Sequence, residues 1–223
     1  IFTEDIDPST RLRLGRDDSA YGDLKQSDKL KFEHTKVVYT MNYDGIIIGG
    51  GSAGMFAAIT AAARGQKVLL LERNDRLGKK LLITGKGRCN VTNDCTPESF
   101  RTQVVKNPRF LFSALSAFAP ADMMALLERL GCPVKTERGN RVFPVSEKAS
   151  DVTRALEKEL RRLGVQIRLN SGVRSVDASD GRITGVTLED GGFLAADAVI
   201  VATGGMSYPT TGSTGDGFKW LSA

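Results

Sequence analysis

Histidine is almost missing from this chain: His34 is the only one in 223 residues. A histidine general base or a Ser-His-Asp triad therefore has no material in the body of the chain. Cysteine is nearly as scarce. Cys89, Cys95 and Cys132 are odd in number and lack C-x-x-C spacing, so neither a disulfide framework nor a metal site is legible. A reduced, cytoplasmic setting is the expected one. Basic and aromatic residues are not interleaved as a nucleic-acid surface would require, so no nucleic-acid partner is expected. The N-terminus is charged and has no apolar signal-peptide core. Internal repeats are absent, and the length suits one substantial domain or one with a small companion.

Charge is moderate. Lys and Arg number 31 against 26 Asp and Glu, a net charge of +5. Residues 1–40 carry −1 and the remainder +6. A site for an anionic cofactor explains that excess more simply than a polyanionic partner does. Residues 1–40 are polar and poor in periodic apolar positions, and Met41 lies just ahead of the first strand. They are expected to be a disordered or non-family leader, with 41–223 as the folded part.

What the chain does have is the stretch Tyr43–Glu72, YDGIIIGGGSAGMFAAITAAARGQKVLLLE. Gly45–Ile48 is an apolar run suited to a parallel strand covered on both faces. Gly49-x-Gly51-x-x-Gly54 follows. Gly49 allows the tight turn, Gly51 lets a pyrophosphate approach the backbone, and Gly54 lets the helix lie close to the strand. The helix is expected from Ser52 to Arg64, with Ser52 and Ala53 presenting free N–H groups at its positive end. Gly65 is placed to stop it. Val68–Leu71 is the second strand. Glu72, 23 residues after Gly49, sits where a carboxylate can accept hydrogen bonds from a ribose diol. An acid there would repel a ribose phosphate, which argues against NADP in this site. A glycine-rich turn alone is a weak signal; strand, turn, helix, strand and acid together make a dinucleotide-binding βαβ unit. The uncharged run Gly45–Ala63 is about long enough to cross a bilayer, but its Gly, Ser and Thr content and its punctuation oppose a span. No membrane partner is expected.

Residues 73–93 form a long connection with six basic residues, Arg73, Arg76, Lys79, Lys80, Lys86 and Arg88, and a second glycine pair, Gly85-x-Gly87. A solvated basic loop would look the same, but directly after a βαβ unit a cofactor-facing loop is the better reading. Residues 108–131 read as helical, with Pro120 as a break or first residue and Gly131 as a stop. Residues 134–145 read as a hairpin about Arg138-Gly139-Asn140. Ser150 could cap a helix from Asp151 to Leu163. Val165–Leu169 is the next strand. Alternating segments near 172–177, 183–188 and 192–196 suggest a small antiparallel β-meander set on the parallel sheet. The last clear strand starts at Asp197 and ends in Ala202-Thr203-Gly204, followed by a Gly/Ser/Thr-rich loop to Gly217.

Four segments resemble the BaiN/YhiN-like NAD(P)/FAD-dependent oxidoreductases, the dehydro-bile-acid-reductase-like flavoproteins. They are GGGSAG at 49–54, GKKLLITGKGRCNVTN at 78–93, GNRVFPVSEKASDV at 139–152 and VATGGMSYPTTGSTGDG at 201–217. The resemblance implies an α/β Rossmann-like FAD-binding domain, a parallel sheet with its GxGxxG unit plus the meander. It implies FAD, with the pyrophosphate over Gly49, Gly51 and Gly54 and the adenosine ribose on Glu72. It further implies that Lys80 and Arg88-Cys89-Asn90 lie toward the phosphates and flavin, that Val173 meets the adenine, and that Ala202-Thr203-Gly204 is the second cofactor-contact strand. Cys89 reads as a placed small residue, not a nucleophile. Family members run roughly twice this length, with a cap domain and a glycine-rich return segment, so the chain is expected to be an N-terminal part truncated at the C-terminus.

The leading expectation is a FAD-dependent oxidoreductase that passes hydride from NAD(P)H to an unsaturated or carbonyl small molecule. The alternatives are an NAD-dependent dehydrogenase with a plain Rossmann domain, or a non-catalytic nucleotide-binding fragment. The long basic loop and the meander oppose the plain Rossmann reading. No catalytic residue is legible.

Overall fold

The computed structural model describes residues 43–221. The expected leader, with His34, and Met41 after it lie outside the described residues. Strand β1 (Tyr43–Ile48) leads into helix α1 (Ser52–Ala63) and returns through β2 (Val68–Leu71). These bounds follow the apolar run, the glycine turn and the stop at Gly65, whose φ of +82° only glycine adopts readily. A 3-10 segment, Leu81–Gly87, then precedes the two-residue strand β3 (Thr92–Asn93) and helix α2 (Pro97–Thr102).

The helical stretch 108–131 breaks at Pro120, and its first half is itself two pieces. A 3-10 turn at Pro108–Leu111 runs into α3 (Phe112–Ala117), and α4 covers Pro120–Arg129. Pro120 takes the first position of α4, where its missing N–H costs nothing. The Asp122 carboxylate accepts from the Ala119 N–H at 2.7 Å, which stabilises the new start. Within α4, Leu127 is buried and Met123 packs against the core, as does Leu130 just past the helix end.

Strands β4 (Val134–Glu137) and β5 (Arg141–Pro144) form the expected hairpin. β3 joins it to give a three-stranded antiparallel sheet, order β3-β5-β4. A two-residue strand carries too little pattern to read from sequence. Helix α5 spans Ala149–Arg162 and begins earlier than expected. Ser150 does not cap it: Lys148 is the flanking residue, and no side chain caps the start. Burial of Ala149 draws that residue into the helix and leaves Ser150 inside the first turn.

Among the described residues the main sheet has six strands, order β6-β2-β1-β9-β8-β7, with β6 at Gln166–Arg168, β7 at Val173–Ser179, β8 at Arg182–Leu188 and β9 at Phe193–Val201. Strands β6, β2, β1 and β9 are parallel; β8 and β7 are antiparallel additions. The meander folds over one face of the parallel sheet and is joined to it through β9. Its third segment and the final parallel strand are one continuous strand. The start of β9 pairs with β8, Ala195 opposite Gly185, and the rest pairs with β1, Val201 opposite Ile48. One uninterrupted backbone satisfies both ladders, so the segment near 192–196 and the strand starting at Asp197, read separately from the sequence, are a single element.

Alternate residues of the central strands face two cores. Ile47 and Leu70 meet Met55 and Ala58 of α1 and Leu156 and Leu160 of α5. Ile46, Ile48, Leu69 and Leu71 meet Val173, Val186 and Leu188 of the meander. Both faces are covered, which is why these strands are apolar throughout. Leu160 is fully buried, and Leu160→Ala is expected to cost about 2–5 kcal/mol in urea-unfolding free energy.

Candidate functional site

The C-terminal tips of β1, β2 and β9 come together, and the site is built on that edge. Gly49 leaves β1 with φ +108°. A Cβ on Gly49 would stand 2.5 Å from the Ala202 carbonyl oxygen. A Cβ on Gly54 would collide with the Gly49 carbonyl oxygen. Two of the three glycines therefore exist for backbone packing. Gly51 differs: among the described residues a Cβ there would meet nothing within 4 Å. The space beside it is open, directly over the start of α1. No side chain caps that start, and the first turn carries no acid. Its N–H groups and dipole are available to an anion.

Glu72 is buried at 7% exposure just beyond β2. Its Oε2 accepts from the Gly50 N–H at 2.7 Å. Its Oε1 accepts from the Asn74 backbone N–H at 2.8 Å and the Asn74 side-chain amide at 2.6 Å. A carboxylate offers about four acceptor positions, so among the described residues one remains, on Oε2. The three bonds lock the carboxylate beside the glycine turn.

A cavity of about 680 Å³ occupies this edge. Gly49, Gly51, Ser52 and Ala53 line one side, with Glu72 and Arg73 beside them. Lys80 and Asn90 come from the long connection, Val173 from the start of β7, and Ala202, Thr203 and Gly204 from the end of β9. The Lys80 ammonium donates to the Ser207 carbonyl at 2.7 Å, which leaves its other two N–H groups unassigned to that bond.

Three of the sequence-derived residues do not line the cavity. Gly54 lies behind Gly49 and serves packing. Cys89 is fully buried with φ +62°, and burial pushes its thiol up, so it is a core residue. Arg88 corrects the expectation that it faces the cofactor. Its guanidinium lies 4.0 Å from the Phe143 ring centre, bonds Glu137 at 2.6 Å and pairs with Glu147. Lys135 completes this cluster by pairing with the same two carboxylates. The sequence could not show that the acids waiting for Arg88 stand on the far hairpin and its following turn.

Sequence reasoning missed other lining residues: Ser171, Thr211, Gly212, Ser213, Asp216 and Trp220. Most sit in or after the 3-10 turn Pro209–Thr211 and in the short helix α6 (Asp216–Leu221). The Gly/Ser/Thr-rich composition of 205–217 was the available signal. Trp220 carried none.

Residues 43–223 match the HI0933-like protein Rossmann domain. The chain belongs to that family. Among its curated relatives, the 3-dehydro-bile acid delta(4,6)-reductase of Clostridium scindens is 38% identical over 77% of this chain and 41% of its own length. The ribosomal RNA dihydrouridine synthase of Escherichia coli is 35% identical over 79% of this chain and 43% of its own. The chain thus spans about two fifths of the length of these relatives. Among solved structures, 3-ketosteroid-delta4-(5alpha)-dehydrogenase from Rhodococcus jostii aligns with a TM-score of 0.60 at 21% identity, covering 78% of this chain and 48% of the other. A flavocytochrome c3 fumarate reductase aligns at 0.56 and 22%, covering 90% and 43%. These likenesses place the HI0933-like chain in the Rossmann-type FAD-binding fold.

The Arg88 cluster has a pH signature. Arg88 is the first cause holding both Glu137 and Glu147 below the ordinary glutamate value of 4.5. Their folded values lie below their unfolded ones. The cluster's contribution is therefore present above about pH 4.5 and is lost as pH falls through the depressed values. Arg88→Met should lower Tm at neutral pH and flatten the fall in Tm between about pH 5 and 3, read by circular dichroism.

Proposed function

We propose that this chain is the cofactor-binding part of a FAD-dependent oxidoreductase that takes hydride from NAD(P)H and saturates a carbon–carbon double bond conjugated to a carbonyl. The observation that carries the reading is the open space at Gly51 above the uncapped start of α1, in the same cavity as the locked Glu72. Those features fit an ADP moiety. The N–H groups of Ser52 and Ala53 suit the pyrophosphate, and the remaining acceptor position of Glu72 Oε2 suits a ribose hydroxyl. Val173, at the cavity wall on the meander, suits the adenine. The flavin ring supplies the hydride chemistry when bound; the chain supplies grip and orientation.

Two features favour FAD over NAD as the resident cofactor. The parallel sheet continues through β9 into antiparallel β8 and β7 instead of further βα units. The long connection after Glu72 also sends Lys80 and Asn90 back into the cavity.

The relatives' names support the reaction class. A delta(4,6)-reductase acting on a 3-dehydro bile acid and a dihydrouridine synthase both describe saturation of a double bond conjugated to a carbonyl. Their substrates differ in kind, a steroid acid and ribosomal RNA. A small molecule is the reading adopted for this chain, because the guanidiniums of Arg73 and Arg88 are engaged by carboxylates and do not form a track for a phosphate backbone.

Gly51→Val should reduce flavin content to background while the far-UV circular dichroism stays that of the parent, because the new side chain fills the open space. Full flavin retention in that variant, measured by absorbance after gel filtration, would place the cofactor elsewhere. Oxidation of NADH and of NADPH, followed with a 3-oxo-4-ene steroid acid and separately with a ribosomal RNA transcript, tests donor and substrate class. Turnover with the transcript alone overturns the small-molecule reading.

A further inference from the structure

Arg73 lines the cavity and stands next to Glu72, so it looks like a cofactor ligand. Its guanidinium is spent otherwise. One terminal nitrogen donates to the Asp216 carboxylate and to the Thr214 hydroxyl, each at 2.8 Å. The other donates to the Glu189 carboxylate at 2.9 Å. Three separate parts of the chain meet there: the connection after β2, the turn after β8 and the start of α6. Asp216 is held further by the Thr214 hydroxyl at 2.7 Å and more loosely by Lys219 at 3.5 Å. The Thr214 bond, first, and the Arg73 charge among the other causes hold the Asp216 carboxyl below the usual aspartate value.

The segment that Arg73 grips is one wall of the cavity. Thr211, Gly212, Ser213, Asp216 and Trp220 all belong to it. The wall has other supports. The Trp220 indole N–H donates to the Arg174 carbonyl at 2.9 Å. A Cβ on Gly217 would stand 2.9 Å from Val201 and 3.1 Å from the Thr203 hydroxyl, so α6 lies against the tip of β9. The Asn74 amide also donates to the Thr211 carbonyl at 3.1 Å. A six-residue helix has little stability of its own, and these tethers place it.

We propose that Arg73 is a positioning residue: its double ion pair to Glu189 and Asp216 holds the 211–221 wall closed on the nucleotide cavity, and it does not itself bind the cofactor. This rests on the reading of the cavity as an FAD site. Planar, two-pronged contact to two carboxylates is a geometry that lysine copies poorly. Glu189 does not itself line the cavity; its carboxylate holds Arg73 and also stands against Gly172, between the lining residues Ser171 and Val173.

The two roles predict opposite signs. If Arg73 braces the wall, Glu189→Gln loosens it and weakens FAD. If Arg73 is an anion ligand, Glu189→Gln frees its charge and strengthens FAD. Trp220, the sole tryptophan, reports the wall without any cofactor. In the apoprotein, Arg73→Gln should shift Trp220 emission to longer wavelength. FAD affinity by fluorescence titration should fall about tenfold in Arg73→Gln, fall less in Glu189→Gln, and recover in part in Arg73→Lys. Tighter FAD binding in Glu189→Gln overturns the proposal. So does unchanged FAD affinity in Arg73→Gln, whether or not Trp220 shifts. Failure of the unsubstituted protein to bind FAD would instead overturn the reading of the cavity, and this proposal with it.

Discussion

The contact between the Gly49 carbonyl and the α-carbon of Gly54 governs the geometry of everything near the site. It lets α1 start directly on the tip of β1, and Gly49 in turn packs on the Ala202 carbonyl at the tip of β9. Three backbones approach at distances that a side chain would prevent. Because they do, the positive end of α1 points into the space at the strand ends instead of over the face of the sheet. Gly51 then stands at an edge where nothing crowds it, and the same packing that removes side chains from the turn leaves room for a ligand.

Glu72 and Asn74 carry the second constraint. The carboxylate ties the β1–α1 turn to the segment after β2, and Asn74 extends that tie to Thr211 on the far wall. Arg73, between them in sequence, reaches the same wall through Asp216 and the meander through Glu189. Three consecutive residues thus join the glycine turn, the meander and the C-terminal helix around one cavity. Polar groups here organise the site by bonding to one another, and the parts left over, one acceptor position of Glu72 and the N–H groups of α1, are those a dinucleotide can use.

The βαβ unit was legible because its signals are local. A tight turn, a short apolar strand and a helix stop each depend on a few neighbouring residues, and Val68–Leu71 and Ser52–Ala63 fall where those signals put them. The hairpin at 134–144 and the two outer meander strands were legible for the same reason. Ser150 misled because capping competes with burial, and the pull of Ala149 into the core is invisible without the sheet it packs against. The split of β9 into two strands misled because pattern analysis sees alternation change and cannot see that one strand can have an antiparallel neighbour at its start and a parallel one at its end.

Sequence alone determined the βαβ elements, the glycine turn with its acid at the correct interval, and the membership in a dinucleotide-binding class. These depend on backbone freedom and apolar periodicity over short windows. Tertiary structure decided which charges face the cavity. Arg73 and Arg88 come from one basic run, yet one meets Glu189 and Asp216 and the other meets Glu137 and Glu147, each partner far away in the chain. A cation's role depends on the carboxylates the fold brings to it, and that pairing exists only once the strands are in register.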